Sequence, residues 1–134
     1  MNSLLRLVDR KAGTTYASVV WRESKVLPGV RYGVTRMSFG RRIELARQVR
    51  EIGAKAEYLA AGQDLKEKLE SAVISAEIDA AYLQWGLAAI ENLLIDGAPA
   101  SPEAVIANGP IEFAREILMA VKAEIGLSED ERKN

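Results

Sequence analysis

The feature that most constrains this chain is an apolar ladder, Leu69, Val73, Ala76, Ala80, Leu83, Leu87, Ile90 and Leu94, whose gaps of four and three residues follow the turn of an α-helix. The spacing predicts one helix from Asp64 to Ile95, about 45 Å long at 1.5 Å per residue. A single domain of this length cannot flank such a rod from end to end, so part of the seam is expected to face a partner helix, a second subunit or another protein.

A second periodic run precedes it. Ser38 is a fitting N-cap, and Ile43, Leu45, Ala46, Val49, Ile52, Ala56 and Leu59 keep helical spacing up to Gly62. The break at Gly62 and Gln63 is short enough to predict an antiparallel helical hairpin. Upstream, β-branched and aromatic residues cluster from Thr14 to Arg22, with Ala17, Val19 and Trp21 on one face and Tyr16, Ser18 and Val20 on the other. A Pro28-Gly29 turn and an alternating run from Val30 to Thr35 follow. A β-hairpin is expected there. Downstream, Asp96, Gly97 and Pro99 are read as the stop of the seam helix, and Ser101-Pro102-Glu103 as the start of a short helix closed by Asn108 and Gly109. Pro110 opens a last helix whose Phe113, Ile117, Val121 and Ile125 face the core. Gly126 suits a left-handed stop, with Leu127 folding back on Val121. The expected fold is α+β and mainly α: an N-terminal β-hairpin packed on a long helical hairpin, with one short and one medium C-terminal helix. Residues 1–13 are expected as a loose arm, 14–127 as one domain and 128–134 as a polar tail.

Composition narrows the function. The 134 residues contain no cysteine and no histidine, which removes disulfides, thiolate and imidazole metal ligands, and the usual near-neutral acid-base group. No enzyme chemistry, cofactor or metal is expected. Glu70, Glu77, Asp79 and Glu91 on the seam lack the histidines of a carboxylate-bridged metal centre and read as a solvated face. Neither a membrane span nor a signal peptide is expected, and the predicted location is a cytosol. The net charge of −1 conceals a split: 12 Lys/Arg against 5 Asp/Glu up to Ala61, and 6 against 14 from Gly62 onward. Either the halves neutralise each other on folding or a charged face is left for a partner.

Candidate binding residues follow from broken local rules. Arg36, Arg41 and Arg42 gather at the start of the first long helix, where cations oppose the helix dipole. They either reach carboxylates such as Asp96 or Glu91 or form a binding site. A nucleic-acid stripe through Arg47, Arg50 and Lys55 is interrupted by Glu44, Glu51 and Glu57, which argues against nucleic acid as the ligand. Tyr82, Trp85 and Leu87 surround Gly86, where another segment could approach closely: a core knot on one reading, a partner patch on the other. At the end of the chain Ser128 and Glu131 have capping-box spacing, but little helix can follow. If the Arg132 codon ends in A, Lys133 and Asn134 can be spelled so that the message reads A-AAA-AAC, a heptamer on which ribosomes slip back one base.

Together, Gly29-Val30-Arg31-Tyr32-Gly33-Val34, Ser38-Phe39-Gly40-Arg41-Arg42-Ile43-Glu44-Leu45, Trp85-Gly86-Leu87, Ile95-Asp96-Gly97 and the ending Gly126 to Asn134 resemble tail assembly chaperones of long-tailed bacteriophages. The resemblance covers Val30 to Asn134. It implies a small helical protein of the host cytoplasm, absent from the finished virion, that binds the tape measure protein, keeps it soluble and helps recruit tail tube subunits. It also implies a longer product made by frameshifting near the end of the frame. No family motif assigns a binding residue, so the expected partner-binding set is Arg36, Arg41, Arg42, Tyr82, Trp85 and Leu87, with homo-oligomerisation through the overlong helix as a further expectation. The alternatives are a structural virion or connector protein and, more remotely, a small nucleic-acid-binding regulator.

Overall fold

A computed structural model describes residues 13–61 and 64–126, apart from the side chains at 56 and 60. The expected arm over residues 1–12, the Gly62-Gln63 break, the Leu127 contact and the 128–134 tail lie outside the described residues. The fold is mainly α with a small antiparallel β portion. Strands β1 (Val19–Glu23) and β2 (Arg31–Thr35) form the expected hairpin. Helices α1 (Phe39–Ala60) and α2 (Leu65–Gly86) follow, each 22 residues long. Then come β3 (Leu87–Glu91), the two-residue strands β4 (Leu94–Ile95) and β5 (Ala98–Pro99), and helices α3 (Pro102–Asn108) and α4 (Ile111–Ile125).

Local chemistry explains the helix ends. Ser38 Oγ accepts from the Arg41 amide and Ser101 Oγ from the Ala104 amide, both at 3.1 Å, each satisfying one orphan first-turn donor. Asp64 does the same for Lys66. Gly126 ends α4 at φ 82°, in the left-handed region that favours glycine. Contacts between the start of α1 and the end of α2, such as Arg41 with Trp85, show the two helices running antiparallel.

The seam helix is shorter than its periodicity suggests. It stops at Gly86, and Leu87–Glu91 crosses to the free edge of β2, making a three-stranded antiparallel sheet in the order β1-β2-β3. The cause of the misreading is a bulge. Tyr32 pairs with Ile90 and Gly33 with Ala89, but Val34 pairs with Leu87, so Ala88 is an extra residue without an opposite number. The bulge puts Leu87 and Ile90 on one face of the strand at a spacing of three, which is helical spacing. Asp96 and Gly97 likewise are not a helix stop. With φ of 52° and 82° they form the tight turn between β4 and β5, the Asp-Gly hairpin turn that matches strand twist.

One core joins the layers. Tyr32 and Val34 of β2 and Leu87 of β3 meet Phe113, Ile117, Val121 and Ile125 of α4, all buried, with Leu45 of α1, Leu83 of α2 and Val105 of α3. The Tyr32 and Phe113 rings meet edge-on at 5.9 Å. On the other sheet face Trp21 lies over Gly33, where a Cβ would come within 2.7 Å of Val19 Cγ1 and 3.4 Å of Trp21 Cε2. Behind the sheet, Glu116 of α4 holds the β1–β2 loop: it accepts from Ser24 Oγ at 2.6 Å and from the Lys25 amide at 2.7 Å.

Candidate partner-binding groove

Helix α1 positions most of the candidate residues, and its first turn resolves the arginine anomaly. Arg41 donates from Nη2 to the carbonyl of Trp85 at 3.0 Å, and Arg42 from Nη2 to the carbonyl of Ile125 at 3.1 Å. Those carbonyls belong to the last turns of α2 and α4. Each cation that opposes the dipole of its own helix therefore sits on the negative end of another, where a charge is favourable by about 0.3–1 kcal/mol. The arginines do not reach Asp96 or Glu91. Glu91 pairs instead with Arg31 at 2.9 Å.

The six candidate residues separate into four groups. Arg41 and Trp85 form a pair, the guanidinium carbon 4.6 Å from the ring centroid. Arg41 Nε and Trp85 Nε1 are buried with no hydrogen-bond partner among the described residues. Around Gly86 a Cβ would stand 2.5 Å from Val121 Cγ1, so the close neighbour is α4 of the same chain. Leu87, expected at a partner surface, is 4% exposed and belongs to the core because β3 turns it inward opposite Val34. Arg36 stands apart, stacked 5.5 Å from the exposed ring of Tyr16.

Arg42 and Tyr82 come together. They line a groove of about 460 Å³ with Met37, Leu45, Ala46, Val49, Arg50 and Ile125. The groove is mainly apolar, with the guanidiniums of Arg42 and Arg50, about two turns apart on α1, and the Tyr82 hydroxyl as its polar groups. Lys122 Nζ lies 5.6 Å from the Tyr82 ring centroid and is paired with Asp79 at 3.4 Å. Phe39 and Ile43 fall on the same side of α1 as Ala46 and Arg50, by the spacing of four, three and four. Both are exposed, Phe39 at 85%, so the apolar surface continues past the groove. On the opposite flank a second hollow, lined by Glu44, Gln48, Glu51, Ile52, Ala81, Gln84 and Trp85, is acidic and more polar.

Of the groove residues that the sequence reading missed, Ala46, Val49 and Arg50 share a helix face with Arg42, and that spacing could have found them. Met37 and Ile125 gave no such signal, because only packing brings the end of α4 to the start of α1. Among the described residues no cluster of three or more acidic side chains can hold a metal ion, and no helix is long and apolar enough to cross a membrane. No family model matches the chain, and neither a curated protein nor a solved structure matches it.

Proposed function

We propose that this protein is a tail assembly chaperone of a long-tailed bacteriophage, which binds helical segments of the tape measure protein in the groove along α1, keeps that client soluble and helps recruit tail tube subunits in the host cytoplasm. The phage assignment rests on the sequence resemblance. The observation that supports a binding role is the groove itself: an apolar floor open at the surface, continuous with exposed Phe39 and Ile43 and flanked by Arg42 and Arg50. An amphipathic helix laid in a groove needs apolar anchors at helical spacing and a complementary charged rim. This rim selects a client helix with acidic residues beside its apolar stripe.

The test is co-expression with the long helical protein encoded in the same gene cluster, comparing the solubility and co-purification of that protein with and without this chain. Replacing Arg50 by Glu should weaken capture and leave the helical circular dichroism in place. If the client is equally soluble without this chain, the chaperone reading fails. Recovery of the protein from purified virions would favour a structural role.

A further inference from the structure

The groove leaves one large apolar feature unused. Leu65, Leu69 and Val73 of α2 are 70%, 59% and 60% exposed, and they form a ridge at a spacing of four. Farther along α2 the stripe continues through Ala76, Ala80 and Leu83 into a hollow shared with α3 and α4. Its far end, at Leu83, is thus buried by the chain's own helices, while Leu65, Leu69 and Val73 have nothing over them among the described residues. Three large apolar side chains on consecutive turns do not help an isolated helix in water, and covering them is favourable by about 25 cal/mol per Å².

The charges beside the ridge indicate what covers it. Lys66, Glu70 and Glu77 lie along one flank, all exposed and without an ion-pair partner among the described residues. Lys66 and Glu77 are about three turns apart, too far to pair within one helix, and they straddle the midpoint between Leu69 and Val73 almost equally. A second α2 laid antiparallel about that midpoint brings each Lys66 opposite the Glu77 of the other copy. It also sets Leu69 against Val73 and brings each Leu65 to the small Ala76 at the rim of the hollow. Contacts running from Leu65 to Glu77 along about three turns need the shallow crossing of about 20° at which ridges at a spacing of three enter grooves at a spacing of four, and a two-fold axis repeats every contact twice.

We infer that the Leu65, Leu69 and Val73 ridge is a self-docking surface, on which a second copy of this chain binds antiparallel through α2, with Lys66 of each copy paired to Glu77 of the other. This surface lies on a different helix from the α1 groove and does not depend on the chaperone reading. Three large side chains per copy make a small interface, so the dimer dissociates on dilution. Glu70 is the unfavourable element, because the axis brings it near its own counterpart.

Sedimentation of the full chain over a range of micromolar concentrations is the test. A concentration-dependent dimer is expected, and Leu69→Glu should weaken it by at least about tenfold, since it places a charge in the contact. All of these positions are exposed, and circular dichroism checks each variant's fold. Lys66→Glu and Glu77→Lys should each weaken self-association, and mixing the two variants should restore a dimer, because each then offers the charge the other needs. Glu70→Gln should tighten it. A chain that stays monomeric throughout would overturn the inference and leave the ridge to a different protein. Unchanged dimerisation in Leu69→Glu would overturn the location, and failure of the mixed variants to pair would overturn the antiparallel register.

Discussion

Replacing Gly86 by Ala adds one methyl group where the backbone passes from α2 to β3. The new Cβ would lie 2.5, 2.7 and 3.1 Å from Cγ1, Cγ2 and Cβ of Val121, against 3.4–4 Å for ordinary contact. Val121 has no exposed surface and sits in the same core as Phe113 and Ile117, so it cannot swing aside. The two segments must separate by roughly 1 Å or push neighbouring side chains off their rotamers, and overpacking of this kind costs about 1–3 kcal/mol. Alanine's better helix propensity offsets less than about 1 kcal/mol at the last helical residue. The expected outcome is a loss of about 1–2 kcal/mol, read as a lower urea midpoint at unchanged slope and a melting temperature lower by about 3–5 °C for each kcal/mol. The decisive control is the pair with Val121→Ala. That change alone opens a cavity and costs about 2 kcal/mol, but it removes both atoms that the new methyl meets first. The double variant should therefore be more stable than the sum of the single losses predicts, by at least about 1 kcal/mol. If Gly86→Ala is neutral, or if the two losses simply add, the packing argument for this glycine is wrong.

Other expectations rest on separate contacts. Arg41→Ala removes a hydrogen bond to a helix end and a stacked cation, and should cost about 1–3 kcal/mol in urea unfolding; Arg36→Ala, which loses only an exposed stack on Tyr16, should stay within about 0.5 kcal/mol of the parent. Glu116→Ala orphans the Ser24 hydroxyl and the Lys25 amide, with an expected loss of about 1–3 kcal/mol and faster amide exchange confined to the β1–β2 loop. Burial, with a smaller contribution from Glu116, raises the Tyr32 pKa above its ordinary 10.0. The unfolded chain therefore releases this proton at lower pH than the native one. The stabilisation is complete below pH 10 and declines as pH rises through 10 toward the native value, and Tyr32→Phe should flatten that alkaline limb of the stability profile.

Much of the fold was legible because its signals are local. Ser38, Ser101 and Gly126 act within a few residues of themselves, and Phe113, Ile117, Val121 and Ile125 stay buried at the spacing the helix turn demands. The hairpin was legible through alternation and the Pro28-Gly29 turn, although β1 is shorter than the β-branched run suggests. The stretch after Gly86 was misread because a bulge at Ala88 reproduces helical spacing within a strand. What decides between the two conformations is the free edge of β2, and no window of sequence around residues 87–91 contains it.

The candidate site divides in the same way. The chain's own letters determined that Arg41 and Arg42 would stand against the dipole of their helix, that Tyr82 and Trp85 would flank a point of close approach at Gly86, and that some part of the apolar seam would need a partner. Tertiary structure alone decided what each was for. It brought the carbonyls at the ends of α2 and α4 to the two arginines, closed α4 over Gly86, drew Leu87 into the core and set Arg42 beside Tyr82 and Ile125. Periodicity and capping depend on neighbours within about one helical turn, whereas these partners lie far along the chain, and only the packing of α4 and the sheet against the helical hairpin brings them within reach.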